Sequence, residues 1–308
     1  MNSIEAMESE IGFQLHDLPV IALQAREKNC LFVGSGDSYA ACLIAQLASG
    51  SKALSCHPLD LVRDPSAADG RAVYVVSVSG KTRANILAAK TAKKRGMRTV
   101  AITANPASPL ASYCDEVIHL RYTHSPITTA GTISFAASVI TCLSLAIKFR
   151  FPKNMSKLLT AAERQAEGFV RWMKAARKSY FVLGDGVLFP VALYGAMKLN
   201  EVIGSRAVAY PAEEFCHSPL FSITKKDAVI VLGVQGGSLS SLANRLVTAG
   251  FDSRFVQISD GEILETILHS TFFVQLLALK IAQKMKLKEC YFLRNRQLRR
   301  ISSDFIYG

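Results

Sequence analysis

The chain has 308 residues, with 36 Lys and Arg against 24 Asp and Glu, a formal charge of +12, and an apolar half. So much apolar surface excludes a disordered or low-complexity chain, and the length suits about two domains, each with its own core. The seven cysteines, at 30, 42, 56, 114, 142, 216 and 290, have no C-x-x-C spacing. That excludes a patterned disulfide framework or zinc site and predicts reduced, mostly buried thiols in a cytoplasmic protein.

In chain order, the N-terminus MNSIEAMESEIGFQ lacks the basic and apolar regions of a secretory signal. CLFVG reads as a strand followed by a helix from about Ser38. AVYVVSV is a second strand, with a helix from about Thr82, and MRTVAIT a third. The stretch from Ile133 to Ile147, interrupted by Ser134, Ser138, Thr141 and Ser144, is too short for a bilayer span and suits a buried helix. A helical connection is expected at 150–178, and the strands SYFVLG, DAVIVLGV and SRFVQIS follow it. Such alternation predicts an α/β fold, with parallel sheets covered by helices on both faces.

The two halves repeat. Ala72 to Gly80 lies 156 residues before Ala228 to Gly236, and Val100, Ile102 and Thr103 recur at the same offset as Val256, Ile258 and Ser259. Leu31-Phe32-Val33 and Tyr180-Phe181-Val182 open the two copies. This predicts a duplicated, doubly wound domain, residues 1–150 forming the first copy with its N-terminal helix and 151–308 the connection, the second copy and the tail.

The copies differ after one strand. The first reads Ser77-Val78-Ser79-Gly80-Lys81-Thr82 and the second Gly233-Val234-Gln235-Gly236-Gly237-Ser238. Hydroxyls at the carboxyl end of a strand, leading into a helix N-terminus, make an anion cradle, whereas an N-cap needs only one of them. One phosphate site per chain is therefore expected. The P-loop and G-x-G-x-x-G patterns are incomplete, since Val75 and Tyr39 stand where glycines are required. The positive charge, without any nucleic-acid-binding pattern, suits a small anion such as a sugar phosphate better than nucleic acid.

These residues resemble the sugar isomerase (SIS) family, in particular the double-SIS isomerase half of glucosamine-6-phosphate synthase. Met7-Glu8-Ser9-Glu10-Ile11-Gly12-Phe13-Gln14 resembles M-x-x-E-I-x-x-Q, and Gly36-Asp37-Ser38-Tyr39 resembles G-T-S-Y. Ser77 to Thr82 stands where the family has S-Q-S-G-E-T, and Met197-Lys198-Leu199-Asn200-Glu201 is similar to L-K-L-K-E. Ala209 to Leu220 then follows A-Y-x-x-x-E-x-x-H-G-P-L. The resemblance implies that Ser77, Ser79 and Thr82 hold a sugar phosphate, with Gly36, Asp37 and Ser38 lining the same pocket. It also implies that Glu201 moves a proton between C1 and C2 with Lys198 beside it, and that His217 assists ring opening across a dimer interface.

Elementary chemistry agrees. Aldose–ketose interconversion needs one base to carry a proton between adjacent carbons, and ring opening suits an imidazole. Lys198 and Glu201, three apart on a helix, share a face, as an ordinary surface ion pair also would.

The departures are specific. The resemblance starts at the first residues with no glutaminase-like stretch before it, so a complete glutamine-dependent synthase is not expected. Arg300 stands at the tail lysine that forms a Schiff base in the family, and a guanidinium cannot serve as an amine nucleophile. Val78 replaces a glutamine and Gly131 a sugar-contacting serine. The expected protein is a homodimer of double-SIS chains, its sites lying between domains and subunits, that isomerises a phosphosugar or deaminates an amino-sugar phosphate. It needs no metal or organic cofactor and has no membrane span. A deglycase and a non-catalytic sugar-phosphate sensor are the alternatives. The arginine-rich tail, Arg294 to Arg300, is expected to fold over the site as a lid.

Overall fold

The computed structural model describes residues 1–173 and 179–308; the last part of the expected connection, 174–178, lies outside the described residues. The chain opens with α1 (Ser3–Asp17), β1 (Cys30–Gly34), α2 (Asp37–Ala48), β2 (Leu54–Cys56) and α3 (Pro58–Arg63). It continues through β3 (Ala72–Val76), α4 (Arg83–Lys94), β4 (Thr99–Thr103), α5 (Pro109–Tyr113), β5 (Glu116–His119) and α6 (Ile133–Ala146). The second half holds α7 (Met155–Trp172), β6 (Ser179–Leu183), α8 (Leu188–Ile203), β7 (Arg206–Tyr210), α9 (Ala212–His217) and β8 (Ala228–Gly233). α10 (Ser238–Thr248), β9 (Asp252–Gln257), α11 (Ile263–Lys284), α12 (Tyr291–Arg294) and α13 (Arg296–Tyr307) complete it.

Two wholly parallel sheets result, in the orders β2-β1-β3-β4-β5 and β7-β6-β8-β9. The first has the flavodoxin-like order of doubly wound folds. Its central strands β1, β3 and β4 are apolar on both faces because both are covered. Phe32, Tyr74, Val76 and Ile102 pack with Cys42 of α2 and Ala137 of α6, while Leu31, Val33, Val73 and Val75 pack with Leu61, Ala88 and Leu110. In the second sheet Phe181, Leu183, Val229 and Val231 meet Phe215 and Leu246.

The pairing registers revise the repeat. Cys30 pairs with Ala72 and Tyr180 with Ala228, so the counterpart of Tyr180 is Cys30, one residue before the expected Leu31. Val76 pairs with Ile102 and Leu232 with Val256, which makes Val256 the counterpart of Ile102 and not of Val100. The 156-residue offset holds for β3 and β8 alone. A slip of two residues leaves every side chain on its original face, so the apolar pattern is blind to it.

The chain forms two compact units: residues 1–15, 125–130 and 150–294 in one, and 16–124, 131–149 and 295–308 in the other. The N-terminal helix, grouped with the first copy in the linear division, thus belongs almost wholly to the unit of the second sheet, and the tail helix to that of the first. The reason is visible at α1, where Gln14 bonds Gln275 of α11 and Cys290 donates its backbone N–H to Ser3.

α11, longer than the 133–147 stretch, is by length and composition capable of crossing a bilayer, yet it is mostly buried and packs against α7 and α8. All seven cysteines are free; five are buried, and burial holds the Cys30 thiol up at about 12 and Cys114 at about 11.

Candidate functional site

In the unit of the first sheet, β1 and β3 are neighbours with Gly34 paired to Val76, so the loops that follow them lie side by side at the carboxyl ends of the strands. Asn85 of α4 joins these loops: its amide donates to the Val76 carbonyl at 3.1 Å, and the Ser35 hydroxyl donates to its Oδ1 at 3.4 Å. Gly36 turns the first loop with φ of 56° and precedes α2, whose first turn carries Asp37 and Ser38.

The second loop directs its carbonyls inward. The Ser77 carbonyl accepts from Gly80 N–H, that of Val78 from Ala104 N–H and Thr103 Oγ1, and that of Gly80 from Leu110 N–H. The bonds from Ala104, Thr103 and Leu110 fix the loop against β4 and α5, and the Ser77–Gly80 bond closes the turn itself. Ser77 is buried, and Ser79 Oγ accepts the Lys81 N–H at 3.3 Å. Thr82 occupies the N-cap of the 12-residue α4, but its side chain makes no cap hydrogen bond there. That observation weighs against capping as the reason for its hydroxyl and leaves it at a helix end where an anion is favoured.

Gly131, which stands where the resembled family has a serine, sits against Asp37. A Cβ added there would lie 3.3 Å from Asp37 Oδ2 and 3.0 Å from Ser134 Oγ. The carboxylate at 37 thus occupies space that a side chain at 131 would need. Beside the loop, a cavity of about 520 Å³ is lined by Lys81, Arg83, Lys90, Pro109, Tyr307 and Gly308, and Arg83 donates to the Gly308 carbonyl at 2.8 Å. The last turn of the tail helix, not its arginines, flanks the loop. Arg300 lies on an exposed face beside Asp304.

In the other unit, Lys198 and Glu201 of α8 meet as their spacing predicted, with Lys198 Nζ donating to Glu201 Oε2 at 2.5 Å. This is no ordinary surface pair: the lysine side chain is 1% exposed and the glutamate 39%. A cation removed from water this completely needs a charge partner, and it fixes the direction of the carboxylate that remains open to solvent.

The end of α8 is set by two residues that the sequence reading passed over. Asn200 clamps the start of β7, donating to the Ala207 carbonyl at 2.9 Å and accepting its N–H at 3.0 Å. Gly204 caps the helix with φ of 68° and has the Tyr291 ring where a Cβ would stand. Glu201 is thereby held in a fixed last turn. His217 ends the short α9 on an exposed face, 3.9 Å from Glu213, and makes no bond to Glu201.

The same unit contains a second polar cluster absent from the sequence reading. His269 of α11 is buried; its Nδ1 accepts the Ser259 N–H at 2.9 Å, and Nε2 lies 3.1 Å from Gln165 Oε1. Burial holds its pKa below 6.5. An isolated histidine within a long apolar stretch gave no signal of this pairing.

The fold and the strand-end loops define an α/β protein of the doubly wound sugar-isomerase type. The sequence pattern of the SIS domain matches residues 24–148 and 175–260, and the chain belongs to that family. A glutamine–fructose-6-phosphate aminotransferase (isomerizing) of Gloeobacter violaceus is 28% identical over 208 residues, 61% of this chain and 34% of that protein. This chain therefore spans about a third of the length of that relative. Among solved structures, the C-terminal domain of glucosamine-fructose-6-phosphate aminotransferase from Francisella tularensis superposes with a TM-score of 0.69 at 21% identity, covering 93% of this chain and 95% of that one. Glucosamine-6-phosphate deaminase from Thermotoga maritima gives 0.71 at 19% identity, again covering 93% and 95%. Likeness at these identities shows the shared fold.

Proposed function

We propose that this chain processes a phosphorylated sugar, by aldose–ketose isomerisation or by deamination of an amino-sugar phosphate such as glucosamine 6-phosphate. Glu201 takes a proton from C2 of the open-chain aldose to give an enediol, or an enamine from the amino sugar, and returns it to C1. In the deamination, water then adds to the C2 imine and ammonia leaves. Ser77, Ser79 and Thr82 bind the phosphate, Gly36, Asp37 and Ser38 line that pocket, His217 serves ring opening, and Lys198 anchors Glu201. The working form is a homodimer.

The observation that carries this reading is the Lys198–Glu201 pair, a solvent-open carboxylate held by a wholly buried ammonium in a chain of the SIS family. The similar proteins named above, two aminotransferases and a deaminase, carry hexose phosphates in their names, which supports the substrate class.

The test is proton NMR in D2O with fructose 6-phosphate, glucose 6-phosphate and glucosamine 6-phosphate, following deuterium entry at C1 and C2. Exchange that falls at least about a thousandfold in Glu201→Gln is expected, as for loss of an obligatory proton carrier. Tight phosphosugar binding with no exchange in the wild type would instead identify a sensor.

A further inference from the structure

We propose that Tyr194 is a positioning residue for the Lys198–Glu201 pair, its ring anchored through Gln275 to Gln14 so that it holds the Lys198 ammonium against Glu201. The catalytic consequence rests on the reading of Glu201 given above; the positioning itself does not.

Tyr194 lies one helical turn before Lys198 on α8, and the ammonium sits 5.1 Å from the centroid of its ring. The phenol oxygen accepts from Gln275 Nε2 at 3.1 Å, and Gln275 Oε1 accepts from Gln14 Nε2 at 2.7 Å. Tyr194, Lys198, Gln275 and Gln14 are all 0% exposed and stand on three helices, α8, α11 and α1. α8 and α11 meet closely here, because a Cβ on Gly195 would come within 2.8 Å of Val274. Gly195 follows Tyr194 and Val274 precedes Gln275, so the glycine contact brings these two polar side chains level with each other.

In such a dry region the chain of amides and phenol favours one arrangement. Turning the tyrosine away would break its bond with Gln275, and turning Gln275 would break its bonds with both Tyr194 and Gln14, each at the cost of a buried hydrogen bond. The ring therefore has a fixed place. Its face attracts a desolvated cation without adding a negative charge that would compete with Glu201. The ammonium is thus supported from below by a neutral surface, and the carboxylate inherits its orientation from three helices.

The experiment uses the full chain with 15N-labelled lysine. A buried, bonded ammonium gives a slowly exchanging 1H–15N signal, assigned to Lys198 by its loss in Lys198→Met. In Tyr194→Phe and in Gln275→Leu its hydrogen exchange should quicken by about tenfold, the scale of one hydrogen bond, and the double variant should add nothing further. If Gln275→Leu does not fold, Gln14→Met removes the outer link in its place.

In the sugar exchange assay the same variants should lower kcat about tenfold and leave KM within about twofold, because only orientation of the base is lost. An unaltered ammonium signal in Tyr194→Phe, or additive effects of the two substitutions, would overturn the proposal. Should no phosphosugar exchange even with the wild type, the proton-shuttle reading fails while the ammonium signal still decides the relay.

Discussion

The two strand-end turns, one after β3 and one after β8, descend from a repeated sequence and differ in how they are held. Each has a glycine in the left-handed region, Gly80 with φ of 63° and Gly236 with φ of 83°. The first turn is packed down. The Val78 and Gly80 carbonyls are bonded to the end of β4 and to α5, Ser77 is buried, and a Cβ at Gly80 would run into the Ser108 side chain. The second is open: Gln235, Gly236, Gly237 and Ser238 are exposed, and nothing lies within 4 Å of a Cβ built on Gly236. One turn is braced from beneath by β4 and α5, and the other is held at its surface by the Gln257 amide on Gln235. The two turns share a backbone shape, and the bracing beneath it distinguishes the copies.

The largest expected effect breaks that bracing. Gly80→Ala adds left-handed strain to a clash with Ser108 and should cost about 2–5 kcal/mol, read as a fall in Tm of at least about 5 °C. Phosphosugar affinity should fall with it. Gly236→Ala carries the strain alone, about 1–2 kcal/mol, and should leave affinity intact. Equal losses for the two variants would mean that the turns are not differently supported. Next in size is removal of the hydroxyls: Ser77→Ala with Ser79→Ala and Thr82→Val should weaken sugar phosphate at least about a hundredfold in calorimetry, since each charge-assisted bond contributes about 1.5–3 kcal/mol. Placing serine at Gln235, the counterpart of Ser79, should create no second site.

The same contrast explains what the sequence revealed. The central strands β1, β3, β4, β6 and β8 are continuous apolar runs because both of their faces are covered, and each is legible. β2, β5 and β7 went unread. They are edge strands of three to five residues, exposed or half-exposed along much of their length; β2 and β5 carry no long apolar run, and the run Ala207–Tyr210 of β7 is short and follows closely on α8. The Lys198–Glu201 contact was visible because it is local to one helix. Asn85, Tyr194 and Gln275 were not, since their partners lie on other elements and nothing in their spacing announces them. Gly131 shows a further limit: its neighbour Asp37 lies 94 residues away in sequence, and only the fold makes the pair intelligible.

The smallest predicted effect belongs to the open copy and concerns its one buried histidine. Ser259 follows β9, and its N–H donates to His269 Nδ1, so that nitrogen must stay unprotonated for the bond to persist. The other nitrogen, Nε2, then carries the proton and points to Gln165 Oε1, with Glu265 bonded to the Ser259 hydroxyl nearby. Burial holds the imidazole pKa below 6.5, and Glu265 opposes this only in part. The unfolded chain therefore binds a proton before the folded chain does. Stability from this group is fully present above pH 6.5 and is lost as pH falls through the lowered folded value. Thermal melts of the wild type should thus decline more steeply on acidification below neutrality than those of His269→Asn, which keeps an acceptor for the Ser259 N–H and has no proton to gain. The first turn has no buried imidazole at its ends, so Gly80→Ala should lower the whole melt curve without altering that slope. A slope that survives in His269→Asn would place the acid sensitivity elsewhere, among the carboxylates that Arg98 and Lys93 hold below their ordinary range, Glu116 and Asp115.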